Sequence, residues 1–262
     1  MTELHALAPL LGLVVGILLG MLGGGGSILA VPVLIYIAGL EEKLAVTVSM
    51  IVVGVASLVA AWPHNRSGNM ALRTGILFAI GSSVGAFGGA QFQSLIGGPR
   101  LLTLFACAMI AVAVLMLRPA PQTPTPVRPF WAVLAQGMGV GLLTGLVGVG
   151  GGVAIVPALV LLGRIDMKRA IGTSLLTIGL NSASAFAAYF VQRGVLVQLE
   201  TTVVGSISLF PYILIFTALT AGGALIGTAL ARRIEASTLR RAFSVLLIGV
   251  AALILAQNLG RL

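Results

Sequence analysis

The chain has 262 residues, of which 58% are hydrophobic and only 8% are charged. Soluble domains carry about 25% charged residues. The small number of charged residues in this chain therefore excludes a water-soluble surface and indicates a protein that lies in the lipid bilayer. The net charge of +9 does not indicate nucleic-acid binding, because the basic residues lie in the gaps between apolar runs and form no clustered basic face.

The first half of the chain contains five apolar runs. Several of them reach the roughly 20 residues that a helix needs to cross the hydrocarbon core. The second run is too short to cross at an ordinary tilt. The chain begins without the positive segment of a signal peptide, so we expect the first run to stay in the membrane. The runs lie at residues 6–22, 27–40, 44–62, 71–96 and 101–117.

A proline-rich linker follows. The stretch from Arg118 to Pro129 contains five prolines, which disfavour helix and sheet and predict an extended segment. Five further apolar runs complete the chain. We therefore predict a first membrane repeat at residues 1–118, a linker at 119–129 and a second membrane repeat at 130–262. The second set of runs lies at residues 130–147, 153–163, 170–191, 203–231 and 239–258.

The two halves are related in sequence. When residue n is set against residue n+125 over positions 12–49, 14 of 38 positions are identical, where chance in so apolar a chain would give roughly three or four. Weaker matches continue at larger offsets. The chain is therefore a tandem duplication. The clearest identities include Gly12/Gly137, Gly16/Gly141, Gly20/Gly145, Gly23/Gly148, Gly26/Gly151, Pro32/Pro157, Lys43/Lys168 and Ser49/Ser174.

The basic residues predict how the repeats are oriented. If each half crosses the membrane an odd number of times, one side holds 11 of the 15 basic residues and the other holds 4. Positive charge concentrates in cytoplasmic loops, so this arrangement is favoured over an even count. It predicts inverted repeats, a cytoplasmic linker and both termini outside.

A glycine-rich motif separates the first two runs of each half. It reads Gly23-Gly-Gly-Gly-Ser27 in the first half and Gly148-Val-Gly-Gly-Gly152 in the second. Glycine costs a helix roughly 1 kcal/mol per residue, so the chain is expected to turn there. Paired interruptions of this kind indicate a transporter's site, although close helix packing is the alternative explanation. The predicted substrate-lining residues are Gly24, Gly25, Gly26, Ser27, Gly150, Gly151 and Gly152.

Hydroxyl groups lie at the start of the next long helix in each half. The motifs are Ala45-Val-Thr-Val-Ser49 and Ala170-Ile-Gly-Thr-Ser174. Hydroxyls there can donate hydrogen bonds to an oxyanion, or they can bond a preceding carbonyl of their own helix. Both interpretations stay open. The candidate substrate-binding residues are Thr47, Ser49, Thr173 and Ser174.

Three basic residues precede these helices, and the acids lie elsewhere. Lys43, Lys168 and Arg169 could attract an anion or act as a gate, or they could simply extend to the membrane interface.

All six acids lie near the ends of apolar runs. A cationic substrate is therefore disfavoured, because cation pathways usually place an acid at mid-membrane. We find no metal or catalytic spacing, so we expect neither an enzyme nor a cofactor.

The order and duplication of these motifs resemble one known family. A glycine-rich motif with a nearby proline, the Ala170–Ser174 motif, a small polar loop ending in Gly68 or Gly194, and a late Gly-x-x-x-Gly helix each occur twice. This pattern, from about residue 8 to 258, is similar to the sulfite exporter TauE/SafE family of the toluene sulfonate uptake permease superfamily. The first half departs from the pattern, since Val-Thr-Val-Ser stands where Ile-Gly-Thr-Ser is found in the second.

The resemblance implies an exporter of small anions, such as sulfite, sulfonates or sulfur-containing organic acids, in a bacterial or archaeal cytoplasmic membrane. We expect an all-α polytopic protein with two inverted repeats, each a short glycine-interrupted helical hairpin followed by three transmembrane helices, that works by alternating access. The alternatives are an anion channel and a membrane-embedded enzyme or subunit without independent transport. Gly-x-x-x-Gly faces, if exposed, would permit a homodimer.

Overall fold

A computed structural model describes residues 2–92, 98–117, 129–147, 152–191, 203–204 and 207–259. These ranges contain ten α-helices and one pair of two-residue antiparallel strands, β1 (Val203–Val204) and β2 (Ile207–Ser208). The expected helical membrane architecture is confirmed. The helices are α1 (Thr2–Leu22), α2 (Ser27–Pro32), α3 (Glu42–Arg66), α4 (Leu72–Phe92), α5 (Gly98–Leu117), α6 (Phe130–Val147), α7 (Gly152–Pro157), α8 (Met167–Val191), α9 (Leu209–Arg233) and α10 (Ala236–Leu259).

Five segments of the described chain are long and apolar enough to cross a membrane. Large apolar side chains also lie on the outside of the molecule, such as Phe87 and Val245, which are 72% and 68% exposed. An outer surface of this kind suits contact with lipid, where helices satisfy their own backbone groups. The five segments are Leu10–Ile37, Leu44–Arg66, Met167–Ala187, Phe210–Arg233 and Ala236–Ala256.

The first segment is not one straight helix. At the end of α1, Gly23 has a φ of 69°, a conformation that glycine adopts without steric cost, and Gly23–Gly26 form a 3-10 turn. We call Gly23–Gly26 the first glycine turn. The later residues Val33–Ile37 lie against α1. The chain therefore reverses direction at the glycine turn and forms a hairpin.

Each short helix ends in a proline followed by a wide π-helical turn. Pro32 precedes Val33–Ile37, and Pro157 precedes Ala158–Leu162. Proline lacks an N–H group for the helix ladder and crowds the carbonyl four residues earlier, which favours a widened turn. Ala158–Leu162 contacts α6, so in the second half too the short segment lies against the first helix of its half. Residues 148–151, which join α6 to α7 in the sequence, lie outside the described residues.

The first helix of the chain packs on a helix of the second half. A Cβ atom added to Gly16 of α1 would overlap the backbone of Thr220 in α9, and one added to Gly20 would overlap Ala224. The contacts advance in the same order along both helices. Helices α1 and α9 are therefore parallel and in close backbone contact.

Helix α6, the first helix of the second half, packs in the same way on α4 of the first half. Gly141 and Gly145 of α6, the repeat counterparts of Gly16 and Gly20, lie against the backbone of Ser82 and Ala86 in α4. This pair is also parallel. Each half therefore packs its first helix on the other half, and α5 packs on α10 in addition.

The counterpart helices α3 and α8 cross each other directly. Contacts that advance along α3 go backwards along α8, so the two helices are antiparallel. The register of these contacts places Ala56 opposite Asn181, which are themselves counterparts at the offset of 125. The contacting pairs are Gly54 with Ser182, Leu58 with Gly179, and His64 with Gly172.

The late Gly-x-x-x-Gly motifs serve these internal contacts. Gly85 and Gly89 of α4 lie against α6, and Gly223 and Gly227 of α9 lie against α1. All four glycines are buried within the chain. These faces are therefore covered within the chain, and a homodimer would use another surface.

Candidate functional site

The first glycine turn meets the second hairpin inside the molecule. A Cβ atom added to Gly24 would overlap the carbonyl oxygen of Gly152, and one added to Gly152 would meet the Ser27 Oγ and, at 3.2 Å, the carbonyl oxygen of Gly24. All the glycines of the turn and Gly152 are buried. The predicted motifs of the two halves are therefore in backbone contact.

Helix α8 completes this contact from the side. A Cβ atom on Gly23 would overlap the Ser174 Oγ and would lie 3.0 Å from Val156 Cγ2. Ser174 is fully buried. The structure thus brings Gly24, Ser27, Gly152 and Ser174 together, as a transport site built from both halves requires.

Other predicted residues lie farther from this contact. Gly25 packs against Leu246 and Phe243 of α10, and Gly26 packs against Leu19 of α1. Gly25 thus faces apolar side chains, and Gly26 lies against the backbone of α1. Gly150 and Gly151 lie outside the described residues. Ser49 is the repeat counterpart of Ser174, and the residue that would face it, Gly148, also lies outside them.

The candidate hydroxyls are bonded to their own helices. Ser27 Oγ donates to Gly24 O at 2.7 Å, Ser49 Oγ to Val46 O at 2.7 Å and Ser174 Oγ to Ile171 O at 2.8 Å. This is the back-bonding alternative. In this conformation each hydroxyl could offer a proton to an anion only after its χ1 angle changes. Thr47 is buried in α3.

Thr173 links two helices. Its Oγ1 donates to Arg169 O at 2.7 Å and accepts a hydrogen bond from Ala71 N at 3.0 Å. Ala71 directly precedes α4, so Thr173 satisfies a backbone donor that the first turn of a helix leaves open. The side chain therefore holds the start of α4 against α8.

The predicted basic residues differ in their surroundings. The Lys168 Nζ donates to Arg232 O at 3.1 Å, at the end of α9, where a positive charge suits the carbonyl end of a helix. Arg169 is exposed. The Lys43 side chain lies outside the described residues. Lys168 thus has a structural partner, and the exposed Arg169 is accessible to solutes or lipids.

Comparison with known proteins identifies the family. The family model described as "Sulfite exporter TauE/SafE" matches residues 8–254. The chain belongs to the sulfite exporter TauE/SafE family. It is therefore a multi-pass membrane transporter and not an enzyme.

Several curated relatives are described as probable membrane transporter proteins. A "Probable membrane transporter protein" of Xylella fastidiosa is 36% identical over 252 residues, which cover 92% of this chain and 90% of the relative. One from Methanocaldococcus jannaschii is 31% identical over 71% of this chain and 74% of its own length. One from Haemophilus influenzae is 28% identical over 94% of this chain and 96% of its own length. No solved structure matches the chain.

This TauE/SafE protein also contains a polar cluster that the sequence analysis missed. We call Ser82, Ser83, Asn181 and Ser184 the α4/α8 polar cluster. The Asn181 amide nitrogen donates to Ser82 Oγ at 2.8 Å, and its Oδ1 lies 3.1 Å from both Ser82 Oγ and Ser83 Oγ. The Ser184 Oγ lies 3.1 Å from Ser83 Oγ and donates to Asn181 O at 2.8 Å.

The repeat counterpart of Asn181 is Ala56 in α3, so the amide of the α4/α8 polar cluster is present in one half only. An amide has two N–H donors, of which one bonds Ser82. Polar residues within the apolar runs 71–96 and 170–191 were the sequence signal that could have revealed this cluster.

Proposed function

We propose that this transporter is an alternating-access carrier of a small anion, with the substrate held where the two hairpins meet. The contact of the first glycine turn with Gly152 and Ser174 carries the proposal. It joins unwound backbone of one half to a hairpin and a hydroxyl of the other. Paired helix interruptions of two repeats are where secondary transporters hold their substrates.

The repeats are inverted in this proposal. Antiparallel packing of the counterpart helices α3 and α8 supports inversion, because parallel repeats would place their counterparts in the same direction. The reciprocal contacts of α1 with α9 and of α6 with α4 fit a two-fold relation between the halves, whether or not the repeats are inverted. Residues close to the axis that relates the halves then lie near the bilayer midplane, which includes the glycine contact and Asn181.

The binding groups are backbone N–H groups of the two glycine-rich motifs and the hydroxyls of Ser27, Ser49 and Ser174, with Thr47 as a further candidate. Because Gly24 and Gly152 touch in this conformation, the substrate binds when the turns separate or beside them with residues 148–151. Uncharged donors bind an oxyanion without burying a counter-charge. The second N–H of the Asn181 amide, for which the described residues provide no acceptor, is a further candidate donor.

The substrate class is sulfite, a sulfonate or a sulfur-containing organic acid, and the direction is export. The family description supports the sulfur oxyanion. The position of every acid near the end of an apolar run supports an anion over a cation. The chain works in a bacterial or archaeal cytoplasmic membrane, as a monomer or as a homodimer that uses surfaces other than the Gly-x-x-x-Gly faces.

The test is flux of radiolabelled sulfite and simple sulfonates into proteoliposomes that contain the purified protein. A carrier gives saturable uptake that accelerates when the same anion is trapped inside, because the loaded carrier returns faster. An anion channel gives uptake without acceleration. Protein-free vesicles and vesicles loaded with an uncharged solute are the controls. Absence of flux from folded protein with every anion tested would contradict the proposal.

A further inference from the structure

A cavity at one end of the molecule is separate from the hairpin contact. It has a volume of about 280 Å³ and is lined by Trp62, Pro63, Arg66, Ser67 and Arg232. We call it the Arg66/Arg232 cavity. It lies between the last residues of α3 and the last residues of α9. At roughly 30 Å³ per water molecule, it has room for a tetrahedral oxyanion and several waters.

Positive charge faces this cavity without a bound carboxylate. Arg66 and Arg232 line it, and Lys168 is held beside it by its bond to Arg232 O. The two acids near this end, Asp166 and Glu235, accept hydrogen bonds from groups close to them in the sequence. Asp166 accepts a hydrogen bond from Lys168 N at 3.1 Å, and Glu235 accepts one from Ser237 Oγ at 3.2 Å. Within the described part of the chain, neither guanidinium forms an ion pair.

The cavity also has the features of a membrane-interface site. The Arg66 guanidinium carbon lies 5.0 Å from the centre of the Trp62 ring, a cation–π contact that orients the guanidinium. Trp62 is 61% exposed at the end of an apolar helix, where tryptophan prefers the level of the lipid headgroups. An arginine whose guanidinium is held in one orientation, with N–H groups left to donate, binds phosphate-type anions well.

We propose that the Arg66/Arg232 cavity binds a phosphate-type oxyanion between its two guanidiniums. The anion is either the headgroup of an anionic phospholipid or a free oxyanion from solution. Basic pockets between transmembrane helices bind anionic lipid headgroups in other membrane proteins. The site does not depend on the proposed transport mechanism, because its residues are not among the nearest neighbours of the first glycine turn in the described part of the chain.

Trp62 provides the measurement. The chain has two tryptophans, so Trp131→Phe leaves Trp62 as the single reporter. The purified variant in detergent is titrated with inorganic phosphate, with short-chain phosphatidylglycerol and with short-chain phosphatidylcholine, at matched ionic strength. We expect a saturable change of Trp62 fluorescence with one or both of the first two and not with phosphatidylcholine. Phosphatidylglycerol alone identifies a lipid headgroup as the ligand, and phosphate identifies a soluble oxyanion.

Arg232→Gln in the same background tests the residues. It removes one guanidinium and leaves the Arg66–Trp62 contact in place, and it should weaken binding about tenfold, since a charge-assisted bond contributes on the order of 1.4 kcal/mol or more. Arg73→Gln is the matched control, because Arg73 is exposed and does not line the cavity. A response shared by phosphatidylcholine, equal weakening by both variants, or no saturable response would overturn the proposal. Gel filtration verifies that each variant is folded.

Discussion

Ser174 lies where α8 touches the first glycine turn, and its neighbours define what its hydroxyl can do. The side chain is fully buried and bonds Ile171 O. Rotation of χ1 toward Gly23 would direct the proton to the turn and to any anion there. A serine in this position can exchange one hydrogen bond for another without leaving a buried donor unpaired.

We expect Ser174→Ala to raise the KM for the anion about ten- to hundredfold, because a hydrogen bond to a charged group contributes about 1.5–3 kcal/mol. The measurement is concentration-dependent flux into proteoliposomes. Ser244→Ala is the matched control, since Ser244 is also fully buried and bonds Arg240 O at 3.0 Å within its own helix α10. Equal KM values for the two variants would show that Ser174 only bonds its own helix.

Part of the candidate site was predictable from single residues. A run of adjacent glycines that is repeated in both halves indicates an interruption of the helix, so Gly24 and Gly152 could be found from the sequence. The contact of Thr173 with Ala71 could not, because it joins residues that are far apart in the chain. For the same reason Thr173 was predicted as a substrate ligand, whereas the structure gives it a bond that holds α4.

At the scale of the helix, the glycines of α4 differ in whether they contact another helix. Gly81, Gly85 and Gly89 follow one another at intervals of four and lie against the backbone of α6. Residues four apart share one face of a helix, and small residues on such a face let membrane helices approach closely. Gly88 lies off this stripe, and an added Cβ atom there would meet open space.

Substitution of these glycines by alanine should therefore have opposite effects. Gly85→Ala places a methyl group on the backbone of Met138 and should destabilise the protein by about 1–3 kcal/mol, as overpacking does. Gly88→Ala should be neutral or stabilising by up to about 1 kcal/mol, because alanine favours the helix. Thermal unfolding of both variants in the same detergent makes the comparison. Equal stability would argue against close α4/α6 packing.

Periodicity and composition predicted the helices but not their partners. The short runs 27–40 and 153–163 indicated hairpins because they are too short to cross, and in the structure each short segment lies against the first helix of its half. The pairing of α1 with α9 was not predictable, since glycine stripes on α1, α4, α6 and α9 are chemically alike. The sequence match of the halves says which helices correspond, and not whether counterparts pack within a half or across halves.

For the whole molecule, the distribution of charge bears on orientation. The end that contains the last residues of α3 and α9 and the first residues of α8 also contains Arg66, Lys168 and Arg232, which lie close together. These three residues belong to the 11 basic residues that an odd number of crossings per half would place on one side. The cytoplasmic location of that side, and of the linker at 119–129, stays a prediction.

Cysteine labelling can test this orientation. Cys107 is the only cysteine of the chain, so Cys107→Ser gives a cysteine-free background. We expect a membrane-impermeant maleimide to label Thr2→Cys in intact cells, and to label Thr123→Cys in the linker only after the membrane is permeabilised. The cysteine-free protein is the control for background labelling. The reverse pattern would contradict the proposed orientation, and labelling of both sites in intact cells would contradict an odd number of crossings per half.

The exchange of first helices has a consequence for biosynthesis. Helix α1 emerges from the ribosome first, yet its partner α9 is among the last segments to be made. Until then the glycine face of α1 has no partner within the chain and must be covered by lipid or by the insertion machinery. Helix α6, in contrast, finds α4 already in the membrane. The second half of the nascent chain therefore assembles promptly on the first, and closure of α1 on α9 is expected to be a late step of maturation.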